Sequence, residues 1–339
     1  MHPGKQNAKH AVRRTPDSDR DRFLPDIQQA TLKHAASILH HVGGRPLMKA
    51  MVLAAGLGTR LRPITNLLAK PAIPVGPKSL IEWLLIHLAS QNVTDAVVNL
   101  HYKPDSIKKL LQDGQQIGLN VTYSEEPEIL GTAGGLANAA SCFAGEETII
   151  MVNADSLFDF NLQEAIESHR RAGALATMLL LPHQGHYSAV DMKDGIILSP
   201  SLPASAAKAT PYHFTGIHIL STRIFNFLPS GFSDINRTIY PELIKKGHAI
   251  RGEVLHGSWL DFGDPSSYVK NTPVFLASKT LAADHSSIHD STVIDSIIWD
   301  GARICGGAIV ERCIVTTGVE LCGGVHHDQV FLPDGAYPL

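Results

Sequence analysis

The residues best placed to do chemistry lie in one short run, Leu53-Ala54-Ala55-Gly56-Leu57-Gly58-Thr59-Arg60-Leu61-Arg62-Pro63. Small residues at Ala54, Ala55, Gly56 and Gly58 let backbone N–H groups approach a ligand closely, which side chains would otherwise prevent. A nest of amides directly after a strand suits phosphate oxygens. Arg60 and Arg62 add forked cationic donors, which a purely structural turn would not need. The run is not the dinucleotide fingerprint, because Gly56-Leu57-Gly58 is followed by Thr59-Arg60-Leu61 with no third glycine. It is not a P-loop either, because no Gly-Lys-Ser/Thr follows. Further along, Asp155 closes the apolar run Ile149–Val152. That places a carboxylate at the carboxyl end of a strand, where α/β sheets bind ligands.

These groups need a scaffold, and the surrounding pattern supplies one. Ala50–Ala55 is a short apolar run of the kind a strand buried on both faces shows. Helical stripes then alternate with strand-like runs. Helices are expected over 79–88, 106–111, 136–140, 162–171 and 239–246. Strands are expected over 96–100, 121–123, 148–152, 175–181, 213–220 and 250–254. Residues 183–212 read as irregular. The alternation predicts an α/β fold with a doubly wound, mostly parallel, Rossmann-like sheet over residues 48–280. Ahead of it, residues 1–47 form an extension. Residues 1–22 are polar and expected to be disordered, and 24–42 carry a loose helical pattern.

The tail from residue 284 differs in character. Laying Ser296–Gly307 over Cys313–Gly324 aligns Ile297 with Ile314, Gly301 with Gly318, Ile304 with Leu321 and Cys305 with Cys322, at an offset of 17 residues. A unit this short cannot bury its own core, so copies must stack as coils of a β-helix. Cys305 and Cys322 are expected as packing side chains on neighbouring rungs. About fifty residues give too few coils for the acyltransferase sites that such coils host elsewhere.

Taken in order, Leu53–Pro63, Lys70-Pro71, Pro74-Val75, Gly131–Leu136, Asn153–Asp155 and Trp259–Pro265 resemble the signature of the sugar-1-phosphate nucleotidyltransferases (NDP-sugar pyrophosphorylases). The likeness spans about residues 48–275. The tail resembles the left-handed β-helix of hexapeptide repeats that many members append. This resemblance implies attack of a sugar 1-phosphate oxygen on the α-phosphorus of an NTP, releasing pyrophosphate. It implies Arg60 and Lys70 as catalytic cations. Leu53, Ala54, Ala55, Gly56, Gly58, Thr59, Glu126, Gly131 and Thr132 would bind the nucleotide. Asn153, Thr215, Gly216 and Glu242 would bind the sugar, and Asp155 and Asp261 would hold Mg²⁺. A carboxylate only accepts hydrogen bonds, and guanine presents two adjacent donors, so Glu126 leans the base toward GTP. The Gly131–Gly135 motif and the tail look like the mannose-1-phosphate guanylyltransferase branch. The stretch 195–205 lacks the Glu-Lys-Pro segment of many members and is closer to the N-acetylmuramate 1-phosphate uridylyltransferase branch. A non-catalytic, NDP-sugar-binding regulatory subunit is the alternative from another class. Retention of Arg60, Lys70, Asp155 and Asp261 argues against it.

Composition bounds the rest. The 339 residues are 44% hydrophobic and 18% charged, with a formal net charge of −3. That composition can bury a large core and offers no field to attract nucleic acid or an anionic membrane. Four cysteines are too few for a disulfide framework. No apolar run reaches the roughly 18 residues of a membrane span, and the first residues lack the apolar core expected of a secretion signal. A soluble cytoplasmic protein is expected, with self-association through the tail as one possible assembly.

Overall fold

The computed structural model describes residues 47–183, 187–203, 211–276, 281–282 and 286–339. The expectations for residues 1–46 lie outside the described residues.

The first strand, β1 (Met48–Leu53), buries Ala50, Met51 and Val52 completely. Successive side chains point to opposite faces, so a strand apolar at every position belongs at the centre of a two-sided sheet. Its neighbours are β2 (Val93–Leu100) and β4 (Thr148–Asn153), both parallel, with Val52 level with Val98 and Val152. Beyond β2 lies β3 (Asn120–Glu125). After β4 the chain forms β5 (Ser156–Phe158), β6 (Ala176–Pro182), β7 (Ala189–Lys193), β8 (Ile196–Leu202), β9 (Tyr212–Ser221) and β10 (Ile250–Val254). The large sheet has the order β3-β2-β1-β4-β9-β6-β10-β8-β7. In it β9 runs antiparallel to β4 and β6, which restores β6 and β10 to the direction of β1. The expected α/β sheet is present, but it is mixed rather than mostly parallel: β3, β2, β1 and β4 pair in parallel, as do β6 and β10, while β9 and the β7–β8 hairpin pair antiparallel with their neighbours.

One face is covered by α1 (Leu80–Ser90), α2 (Pro104–Leu111) and α4 (Leu162–Arg171). The other carries α3 (Gly131–Asn138) and α5 (Tyr240–Lys245). Local chemistry sets the helix ends. Ser79 and Glu82 form a reciprocal capping box on α1. Asn161 caps α4, whose buried Leu162, Ala165, Ile166 and His169 repeat at helical spacing.

Two expectations need correction. The stretch expected to be irregular contains the hairpin β7–β8. Its two-residue turn is Asp194-Gly195, with φ values of 51° and 76° and Lys193 paired with Ile196. Both turn residues are left-handed, as the twist of a tight hairpin requires. In addition, α3 starts at Gly131 and not at Leu136, because its glycines carry little helical signal.

After β11 (Trp259–Asp261), which pairs with β5, and α6 (Pro265–Leu276), the tail winds into parallel coils. Ile297 pairs with Ile314, Ile304 with Leu321 and Cys305 with Cys322. The 17-residue offset seen in the sequence is thus the rung register. Cys305 and Cys322 are not inward packing groups. They are at least partly exposed and joined by a disulfide, with their Cα atoms 4.5 Å apart. Parallel stacking sets equivalent residues of adjacent rungs side by side, within bridging range. The tail is not a separate body. Its Ile297, Trp299, Ile314 and Val330 share one apolar core with Trp83, Tyr268 and Phe275. Among the described residues, no helix is long and apolar enough to cross a membrane.

Candidate active site

The loop after β1 is pinned from below. Thr65 donates its hydroxyl to the Gly58 carbonyl at 2.9 Å, and Tyr102 donates to the Thr65 carbonyl at 3.0 Å. Gly58 has φ +61°, and a Cβ there would stand 2.8 Å from the Thr65 methyl and 3.1 Å from the Lys70 Cβ. Only glycine fits both the conformation and the gap. The loop edges a cleft of about 300 Å³ at the carboxyl ends of β1 and β4. The cleft brings together the expected Leu53, Ala54, Ala55, Gly56, Gly58, Thr59 and Arg60. On its other sides lie Lys70, Glu126, Gly131, Thr132, Asn153 and Asp155. Arg62 is exposed and does not line it.

Lys70 occupies a short 3₁₀ turn, Lys70–Ala72, and is 8% exposed. Its ammonium donates to Asp155 Oδ2 at 2.8 Å. Burial works to raise the Asp155 carboxyl, but Lys70 and then Arg60 outweigh it and hold the group below its ordinary range. Asp261 lies across the β5–β11 pairing from Ser156, next to Asp155 in sequence, and the Phe262 amide donates to the Asp155 carbonyl at 3.0 Å. Its carboxyl is pushed up to about 6, by burial first and by the Asp155 charge second, against the pull of Lys70 and Arg60. Two carboxylates crowded together, one of them resisting ionisation, are an oxygen donor set suited to a hard dication. The residues present fit Mg²⁺.

Two lining residues, Asn99 and Ile129, lie outside the sequence expectations, and Asn99 is the polar one. Asn99, at the end of β2, is 3% exposed. Its Oδ1 accepts from the Ala54 amide at 2.7 Å, and its Nδ2 donates to Glu126 Oε1 at 2.7 Å. The signal was a lone amide closing the apolar run Ala96–Val98. Glu126 is itself 3% exposed, and its Oε2 accepts from the Leu130 amide at 2.9 Å. Both carboxylate oxygens therefore already have a partner within the protein.

The expected sugar residues separate. Asn153 lines the cleft, with Gly216 packed against its side chain. Thr215 is fully buried and its hydroxyl donates to the Leu179 carbonyl at 2.8 Å. Glu242 is exposed on α5 and does not line the cleft. In their neighbourhood stands an aromatic group the sequence did not reveal. The Tyr187 ring packs 5.0 Å from both His213 and Trp259. Burial, then Asp261 and Asp264, push the Tyr187 hydroxyl up to about 12.

The cleft lies at the carboxyl ends of the parallel strands β1 and β4, where α/β sheets bind ligands. Residues 49–277 match the nucleotidyl transferase family, so the chain belongs to that family and is a sugar-1-phosphate nucleotidyltransferase. It is 32% identical to the UTP–glucose-1-phosphate uridylyltransferase of a Synechocystis strain, covering 85% of each chain. It is 27% identical to a mannose-1-phosphate guanylyltransferase of Mycobacterium tuberculosis, covering 84% of this chain and 80% of the relative. Among solved structures, HddC of Yersinia pseudotuberculosis superposes with a TM-score of 0.59 at 23% identity, covering 68% of this chain and all of HddC.

Proposed function

We propose that the chain makes an NDP-sugar from a sugar 1-phosphate and an NTP, with mannose 1-phosphate and GTP as its substrates and Mg²⁺ on Asp155 and Asp261. The observation that carries this reading is the Lys70–Asp155 contact at 2.8 Å beside Arg60 and the amide loop. A sugar 1-phosphate oxygen forms a bond to the α-phosphorus, the α–β bridging bond breaks, and pyrophosphate leaves with the electron pair. Both reactants are anions, so the protein's task is to align them and to balance charge. The amides of the Gly56–Thr59 loop cradle the phosphates. Arg60 faces the leaving pyrophosphate, and Lys70 the α-phosphate and the incoming oxygen. Asp155 and Asp261 would hold Mg²⁺, which would supply neutralisation of phosphate charge.

The mannose and GTP assignment is supported by relatives named for that activity and by the lone pairs that Glu126 retains for base donors. Glucose 1-phosphate with UTP is the second reading, favoured by the Synechocystis relative. Tyr187 and Trp259 offer a ring face for the sugar beside Asp261. A grid of four NTPs against mannose, glucose and N-acetylmuramate 1-phosphates, read by pyrophosphate release, tests all of this. GTP with mannose 1-phosphate should give the highest kcat/KM. A preference for UTP would remove the guanine assignment, and no release with any pair would remove the catalytic one.

A further inference from the structure

A second cavity, of about 380 Å³, opens at the other end of the sheet. Arg223, Arg251, His248, Asn226 and Phe227 line it over a floor of small apolar residues. Its place follows from the strand directions. Arg251 sits near the start of β10, level with Thr177 near the start of β6. Both β4 and β6 run antiparallel to β9, so the carboxyl end of β4 that bears Asn153 faces the opposite way. The length of the seven-residue β6 separates the two ends, about 20 Å at roughly 3.3 Å per residue.

Its charge is concentrated and held in place. Arg223 donates from Nη2 to the Gly173 carbonyl at 2.8 Å and from Nε to Ser221 Oγ at 3.0 Å. Those bonds finish the end of α4 and give Arg223 a structural role, but they do not neutralise it. Arg251 has no such role. It lies beside Gly195, and among the described residues its side chain makes no hydrogen bond. Among the described residues, neither arginine forms an ion pair with a carboxylate. The converging field is felt by buried His169, which is lowered to about 4 by burial and then by Arg170, Arg223 and Arg251. At the rim, His248 meets Phe227 edge-on at 4.9 Å, and Phe227 is 36% exposed.

We propose that this cavity is a second anion site, which binds the phosphoryl group of a small phosphate ester between Arg223 and Arg251. Two guanidinium forks at a concave opening match phosphoryl oxygens, and the Phe227–His248 pair gives the ester's body a planar surface. The cavity falls in the size range of small-ligand sites.

Calorimetric titration with inorganic phosphate, pyrophosphate and guanosine monophosphate tests the proposal. The parent is compared with Arg251→Gln and with Ala249→Glu, which places a carboxylate on the exposed cavity wall. The parent should bind one more equivalent of guanosine monophosphate than Ala249→Glu, and Arg251→Gln should bind that equivalent about tenfold or more weakly. NDP-sugar synthesis without added ligand should be unchanged in both variants. Equal binding by the bare anions would assign recognition to the phosphoryl group alone and would support the site. Identical stoichiometry and affinity in all three proteins, for all three probes, would overturn it.

Discussion

Lys70 and Asp155 neutralise each other in the free protein, and this pairing determines what each substitution should do. Lys70→Ala removes a cation aimed at the reacting phosphates, so kcat/KM should fall by about 10²–10³. Lys70 is nearly buried, so its loss should lower the melting temperature, but the Asp155 side chain is about one-third exposed, at 32%, and water there should keep that cost smaller than the loss of rate. Initial rates and melting curves together check this, and a large loss of stability with activity retained would contradict it. Asp155 and Asp261 have opposite pH signatures. Asp155 is held below its ordinary 3.8, so its contribution to stability is present above that value and is lost as pH falls through its folded value. Asp261 is raised to about 6, so its contribution is present below 3.8 and is lost as pH rises through 6. In chelator, Asp261→Asn should therefore match the parent near pH 4 and exceed it above pH 6, by on the order of 1–2 kcal/mol. Melting temperature followed across that window decides it. A variant no more stable than the parent at pH 7.5 would mean that the Asp261 carboxyl is not raised.

At the scale of elements, α3 shows why part of the site was hidden in the sequence. Gly131, Gly134 and Gly135 make a poor helix on propensity alone, so the segment reads as helical only from Leu136. The glycines are there for proximity. A Cβ on Gly135 would stand 2.5 Å from Glu126 Oε1 and 2.8 Å from Asn99 Nδ2. Asn99 is tied at both ends, so it cannot swing aside without releasing the Ala54 amide of the phosphate loop. Gly135→Ala should cost roughly 1–3 kcal/mol as overpacking. Because the displaced group positions the nucleotide loop, KM for the NTP should rise about tenfold while kcat changes less. Steady-state kinetics with a melting curve separates this from simple destabilisation, which would leave KM unchanged. Strands with an apolar residue at nearly every position, such as β1 and β4, were legible because burial on both faces leaves no polar alternation. The β7–β8 hairpin is poorly legible although Asp194-Gly195 is a turn signal, because Ser199, Pro200 and Ser201 interrupt the apolar run of β8. Thr215 and Glu242 came from motif position alone, and motif position does not say which way a side chain points.

At the scale of the whole molecule, the tail is joined to the catalytic body by more than apolar contact. Trp299 donates its indole N–H to the Tyr268 hydroxyl at 3.0 Å, and that hydroxyl donates in turn to the Pro74 carbonyl. Tyr268 is fully buried and Trp299 is 5% exposed, so neither bond can be replaced by water. Pro74 lies two residues beyond the turn that carries Lys70. The 17-residue repeat announced stacked coils, but no feature of it could show that their first face packs on α6. Tyr268→Phe keeps the ring and removes only the bridge, leaving an indole N–H and a carbonyl buried without partners. The loss should be about 1–3 kcal/mol per abandoned group. A tail that shares its core with the sheet should unfold with it, so calorimetry of the variant should show one transition, moved to lower temperature. If the bridge also steadies the Lys70 turn, kcat should fall several-fold at a temperature well below that transition, with KM for the NTP little changed. Two separate transitions, or a variant with unaltered stability, would show the tail to be an independent attachment.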